Sequence, residues 1–71
     1  MIFCERLRQT RLSRGILAKD VAEAMSVSYR NYQRYENGSN DPPISKVIIL
    51  ADYFNVSIDY LVGRSDDPRR Y

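Results

Sequence analysis

At 71 residues the chain has room for one domain, with a core of one packed layer of helices. With no histidine and a single cysteine, Cys4, it lacks the material for a disulfide framework or a Cys/His metal cluster, and the usual Cys/His and Ser/His nucleophile pairs are missing. No enzymatic activity, metal or cofactor is therefore expected, and no small-molecule ligand is evident. The formal net charge is only +2, but it is unevenly placed: residues 1–38 hold seven basic against four acidic side chains (+3), and residues 39–71 hold four against five (−1). The positive excess lies where attraction to phosphate would be useful. No apolar run approaches a membrane span and the N-terminus lacks a signal-peptide layout, so a soluble cytoplasmic protein is expected. An unpaired cysteine suits that reducing compartment.

A first helix is predicted from about Ile2 to Arg14, with Phe3 and Leu7 one turn apart on its inner face and Gly15 as its stop. Cys4 reads as a small apolar filler. The stretch from Ala18 to Gly38 then reads as two short helices around a tight turn at Ser26-Val27. Val21, Ala22 and Met25 keep helical spacing before that turn, and Tyr32 and Tyr35 resume it after. Ser28 is an N-cap for the third helix and Gly38 supplies the left-handed residue after its end. Asp41 is the expected cap of a fourth helix, with Pro42 in its first turn. Ile44, Val47, Ile48, Ala51 and Phe54 would form its buried stripe. Asn55-Val56 breaks that helix, and Ser57 caps a short fifth one through about Val62, to which Ile58, Leu61 and Val62 contribute apolar surface. The residues after Gly63 have no apolar period, which predicts a domain over 1–63 and a flexible tail over 64–71.

With Tyr32 and Tyr35 turned inward, the third helix presents Tyr29, Arg30, Gln33 and Arg34 outward, with Asn31 at the flank. Arginine pairs bidentately with guanine, and glutamine or asparagine with adenine, so this face suits reading base edges. The plainer alternative is a set of solvated cations on a surface helix.

Leu7-Arg8, Arg11, Gly15, Val21-Ala22, Val27-Ser28, the run Arg34-Tyr35-Glu36-Asn37-Gly38, Pro42, Ala51-Asp52-Tyr53-Phe54 and Val56 through Leu61 together resemble the Cro/repressor (XRE) type of helix-turn-helix regulator of bacteria and phages. The resemblance runs from about Phe3 to Gly63. It implies an all-α, five-helix, lambda-repressor-like domain whose helix-turn-helix is formed by helices 2 and 3. It implies further a repressor that binds double-stranded DNA, a palindromic operator, as a homodimer through the major groove. Carried across by position, Ser28, Tyr29, Arg30, Gln33 and Arg34 would contact bases. Ala18, Lys19, Asn31, Asn37, Ser39 and Asn40 would contact phosphate, and Arg11 and Glu36 would form a bridging pair between the first and third helices.

The chain departs from the family's pattern in three places. Ala18 stands where a phosphate-reaching Gln is common, and Ser26 where the turn usually has Gly. Asp41 brings an acidic group to a loop that is often basic. Ile49 and Tyr53 lie off the expected stripe of the fourth helix, so they and Tyr60 are candidates for a two-fold interface. A protein-binding module of the same fold, such as an antitoxin or anti-repressor, is the alternative function.

Overall fold

The computed structural model describes residues 1–70, so Tyr71, the last residue of the expected tail, lies outside it. Five helices follow in chain order: α1 (Phe3–Ser13), α2 (Ala18–Ala24), α3 (Tyr29–Asn37), α4 (Ile44–Phe54) and α5 (Ile58–Leu61). There is no strand among the described residues. α3 packs on α2 and α1, and α4 packs on α2 and α5, so α3 is held from behind by two helices and leaves one side open.

The helix boundaries follow from local chemistry. Ser28 and Ser57 each accept a hydrogen bond from the backbone N–H three residues on, Asn31 at 3.1 Å and Tyr60 at 3.0 Å, which satisfies one orphan donor of α3 and of α5. Gly38 ends α3 at φ 82°, and Asn55 ends α4 in the same left-handed region at φ 55°. Ser26, in the turn between α2 and α3, is also left-handed at φ 58°. A side chain there costs roughly 1 kcal/mol relative to glycine.

The core is built from Leu7 of α1, Val21, Ala22 and Met25 around α2, and Tyr32 and Tyr35 of α3. Val47, Leu50, Ala51 and Phe54 of α4 complete it, with Val56 and Leu61 closing one end. Two sequence expectations for α4 are corrected. Asp41 does not cap it: Pro43 occupies the N-cap position with no side-chain cap, and the helix starts at Ile44. A residue preceding proline is pushed to extended backbone, so Pro42, standing before Pro43, cannot open the first turn. The buried stripe is also rotated. Leu50 joins Val47, Ala51 and Phe54, whereas Ile44 and Ile48 are 65% and 44% exposed. The sequence of α4 is apolar nearly all round, so spacing alone does not fix which face turns inward.

Polar groups tie the helices together over long sequence separations. Lys46 of α4 donates from Nζ to the Met25 carbonyl at 2.8 Å, covering an open acceptor at the end of α2. Arg6 of α1 is buried. Its Nη1 donates to the carbonyls of Tyr60 (2.9 Å) and Ser65 (3.2 Å), its Nη2 to Asp66 Oδ1 (3.0 Å), and its guanidinium lies 3.9 Å from the centre of the Tyr60 ring. Residues 64–70 run back along the domain: Ser57 N–H donates to the Pro68 carbonyl at 3.0 Å, and Arg70 pairs with Asp52.

Candidate nucleic-acid interface

The open side of the domain is the outer face of α3. Tyr32 and Tyr35 fill the core, which turns Tyr29, Arg30, Gln33 and Arg34 to solvent. Arg30 and Arg34 make no ion pair or side-chain hydrogen bond among the described residues. Lys19, at the start of α2 beside Tyr29, is equally uncommitted and exposed. A hydrophobic rim of Leu17 and Tyr29, both more than half exposed, flanks this cationic face. Three long cations and an amide on one rigid helix-turn-helix unit can donate to base edges or phosphates without first breaking an internal contact.

What holds α3 at this angle lies behind it. Arg11 of α1 grips Glu36 of α3 in a forked pair, Nε to Oε2 at 2.6 Å and Nη2 to Oε1 at 3.1 Å, while its Nη1 donates to the Ile16 carbonyl at 2.9 Å. The hydrogen bond with Glu36 raises the Arg11 guanidinium above its ordinary value, so it stays charged. The Tyr32 ring packs beside this pair. Its hydroxyl is fully buried and falls short of hydrogen-bond geometry with any neighbour. Burial, reinforced by the Glu36 carboxylate, pushes the Tyr32 phenol far above its usual value.

The other expected contact residues are placed unevenly. Ser28 is exposed, with its oxygen engaged as the α3 cap. Asn31 is turned into the fold, donating from Nδ2 to Tyr35 Oη at 3.2 Å. Asn37 Oδ1 accepts from both the N–H (2.9 Å) and the hydroxyl (2.6 Å) of Ser39. The backbone N–H groups of Gly38, Ser39 and Asn40 all donate to the Arg34 carbonyl, so this loop's amides already have an acceptor. At Ala18 and Lys19 the first-turn N–H groups of α2 have no partner within the helix.

Of the three residues expected at a two-fold surface, Ile49 is half-buried against the core and Tyr60 lies half-buried under Arg6. Tyr53, 40% exposed, stands edge-on to Phe54. Ile44 and Ile48 of α4 and Ile58 of α5 are also exposed. Sequence reasoning passed over Arg6 and Lys46, whose partners lie far along the chain, and gave no role to Arg8.

Comparisons with known proteins agree with this architecture. A family profile described as "Helix-turn-helix" matches residues 7–61. The HTH-type transcriptional regulator YobD of Bacillus subtilis is 39% identical over 67 residues, covering 94% of this chain and 60% of that protein. The regulator ImmR of the same organism is 32% identical, covering 93% and 52%. The CTXphi transcriptional repressor RstR of Vibrio cholerae is 31% identical, covering 92% and 59%. The chain thus spans between half and three fifths of the length of these relatives. Among solved structures, a transcriptional regulator from Listeria innocua superposes with a TM-score of 0.82 at 39% identity, over 86% of this chain and 57% of that one. The P22 c2 repressor, solved with a synthetic operator, superposes at 0.83 with 22% identity, over 92% and 98%, a likeness of fold. With the profile spanning most of the chain, from α1 to the end of α5, the protein belongs to the helix-turn-helix family to which these regulators are similar.

Proposed function

We propose that this chain is a sequence-specific DNA-binding transcriptional regulator, a repressor that sets α3 into the major groove of a palindromic operator as a homodimer. The observation that carries the reading is the outer face of α3. Arg30 and Arg34 stand there exposed and unpaired beside Gln33 and Tyr29, while Tyr32 and Tyr35 lock the opposite face into the core. Arg30, Gln33 and Arg34 supply donors for guanine and adenine edges, and Tyr29 with Leu17 offers an apolar surface to a thymine methyl or a sugar. Lys19 and the first-turn amides of α2 hold the backbone on one side of the groove. The likeness to proteins named as repressors supports the same reading. The two-fold contact is assigned to the α4–α5 region, where Tyr53 of α4 is 40% exposed.

In vitro selection from a random duplex library, run beside the double variant Arg30→Ala/Arg34→Ala, tests this. The expected result is an enriched palindrome with half-sites about one helical turn apart. The variant should fold normally and lose about 1–3 kcal/mol of discrimination per lost bidentate contact. Failure of the folded wild type to enrich any sequence at low salt would sink the proposal in favour of a protein-binding module.

A further inference from the structure

We infer that Arg8 of α1 is an additional backbone-phosphate contact, so that α1 takes a direct part in the interface; this rests on the DNA-binding reading above. The four arginines of α1 and its cap have different commitments. Arg6 is buried against the chain's last turn and Arg11 is locked to Glu36. Arg14 approaches the Phe54 ring, 5.8 Å from its centre, and lines a separate surface with Asn55 and Pro68. Arg8 is exposed and has no ion pair or side-chain hydrogen bond among the described residues.

Its position gives that free charge a direction. Arg8 lines an open groove of about 410 Å³ at the junction of α1, α2 and α3, together with Ala18, Tyr29, Gln33 and Asn37, with the Arg11–Glu36 pair at its base. Glu36 is the carboxylate within this groove, and Arg11 already neutralises it through two hydrogen bonds. The groove is therefore net positive by one arginine. The one-carbon side chain of Ala18 leaves it open toward the base-reading face. A helix seated in a major groove about 12 Å wide has a sugar-phosphate strand along each flank. Gln33 and Asn37 form the flank of α3 that faces α1, and Arg8 stands on that same rim. A cation set one helix back from the reading face meets phosphate rather than base edges, so its contribution is independent of sequence.

The test is a salt series of duplex-binding titrations with the selected operator and with an unrelated duplex. It compares the wild type with Arg8→Ala, Arg8→Lys and the control Arg14→Ala. Arg8→Ala is expected to weaken both duplexes by the same factor and to lower the magnitude of the log-log salt slope by about 0.9 per DNA-bound chain. Arg8→Lys should keep the slope, Arg14→Ala should leave slope and affinity unchanged, and all four proteins should melt alike. Wild-type affinity and slope in Arg8→Ala would overturn the inference while leaving the DNA-binding reading standing. An equal loss in Arg14→Ala would overturn it as well, because the effect would then be the general field of the domain. Absence of duplex binding by the folded wild type would overturn the reading and the inference together.

Discussion

Arg6 and Arg11 of α1 and Arg30 and Arg34 of α3 are the same residue put to opposite uses. Arg6 and Arg11 point into the domain and direct donors to carbonyls and carboxylates of the same chain, whereas Arg30 and Arg34 leave theirs in solvent. The difference comes from their neighbours. Arg11 finds Glu36 across the α1–α3 contact, and Arg6 finds the carbonyls of Tyr60 in α5 and of Ser65 beyond it. The outward face of α3, with Tyr29, Gln33 and the two arginines, carries no carboxylate to pair with them. Composition therefore says little about which basic residues can bind a partner, and the partner list of each one says a great deal.

Three substitutions break or sharpen that contrast. Arg11→Ala should have the largest effect, because it leaves Glu36 without its cation in a site where the carboxylate side chain is only 11% exposed. The loss should lie toward the lower end of about 3–5 kcal/mol, since the pair adjoins an open groove through which water can reach it. Urea denaturation measures this, and a loss under 1 kcal/mol would mean that the pair behaves as a surface bridge. Arg6→Ala should cost less, about 1–3 kcal/mol. It removes a donor from the carbonyls of Tyr60 and Ser65, of which that of Tyr60 keeps the Gly63 N–H at 3.1 Å, and its acidic partner Asp66 is fully exposed and returns to water without penalty. A cost in Arg6→Ala exceeding that in Arg11→Ala would invert the argument.

Tyr32→Phe should be the mildest at neutral pH, within about 1 kcal/mol of the wild type, because it removes a buried hydroxyl that makes no well-formed hydrogen bond although the Glu36 carboxylate is near enough to act on it. Its signature is at alkaline pH. The folded-state pKa of Tyr32 is raised, so the native protein holds a proton that the unfolded chain releases above about pH 10. Stability from this group is complete below that pH and falls as pH rises beyond it. Tyr32→Phe should flatten the fall in chemical denaturation followed through pH 9 to 11, a range set by the ordinary tyrosine value of about 10. Equal alkaline slopes in the two proteins would assign the loss to other groups.

What could be read directly from the sequence was what local chemistry decides. Ser28 and Ser57 cap the helices that follow them, Gly38 ends α3 in the left-handed region, α4 stops at Asn55-Val56, and the two inward tyrosines follow from three-residue spacing. The phase of α4 was not legible. Ile44, Val47, Ile48, Ile49 and Leu50 offer several apolar faces at once, and only packing against α2 and α5 selects the one with Leu50. The burial of Arg6 was equally hidden, because its acceptors lie 54 to 60 residues away. The same holds for the groove beside Arg8, which exists only once three helices have met.

The carbonyl of Arg34 accepts from three consecutive N–H groups, those of Gly38, Ser39 and Asn40. One peptide unit thus fastens the whole connection to α4 while carrying, on its other side, a side chain aimed at solvent. The end of α3 cannot fray by a turn without releasing those three hydrogen bonds. The last turn of α3 and residues 38–40 thus share a single acceptor, so opening either one gives up hydrogen bonds of both.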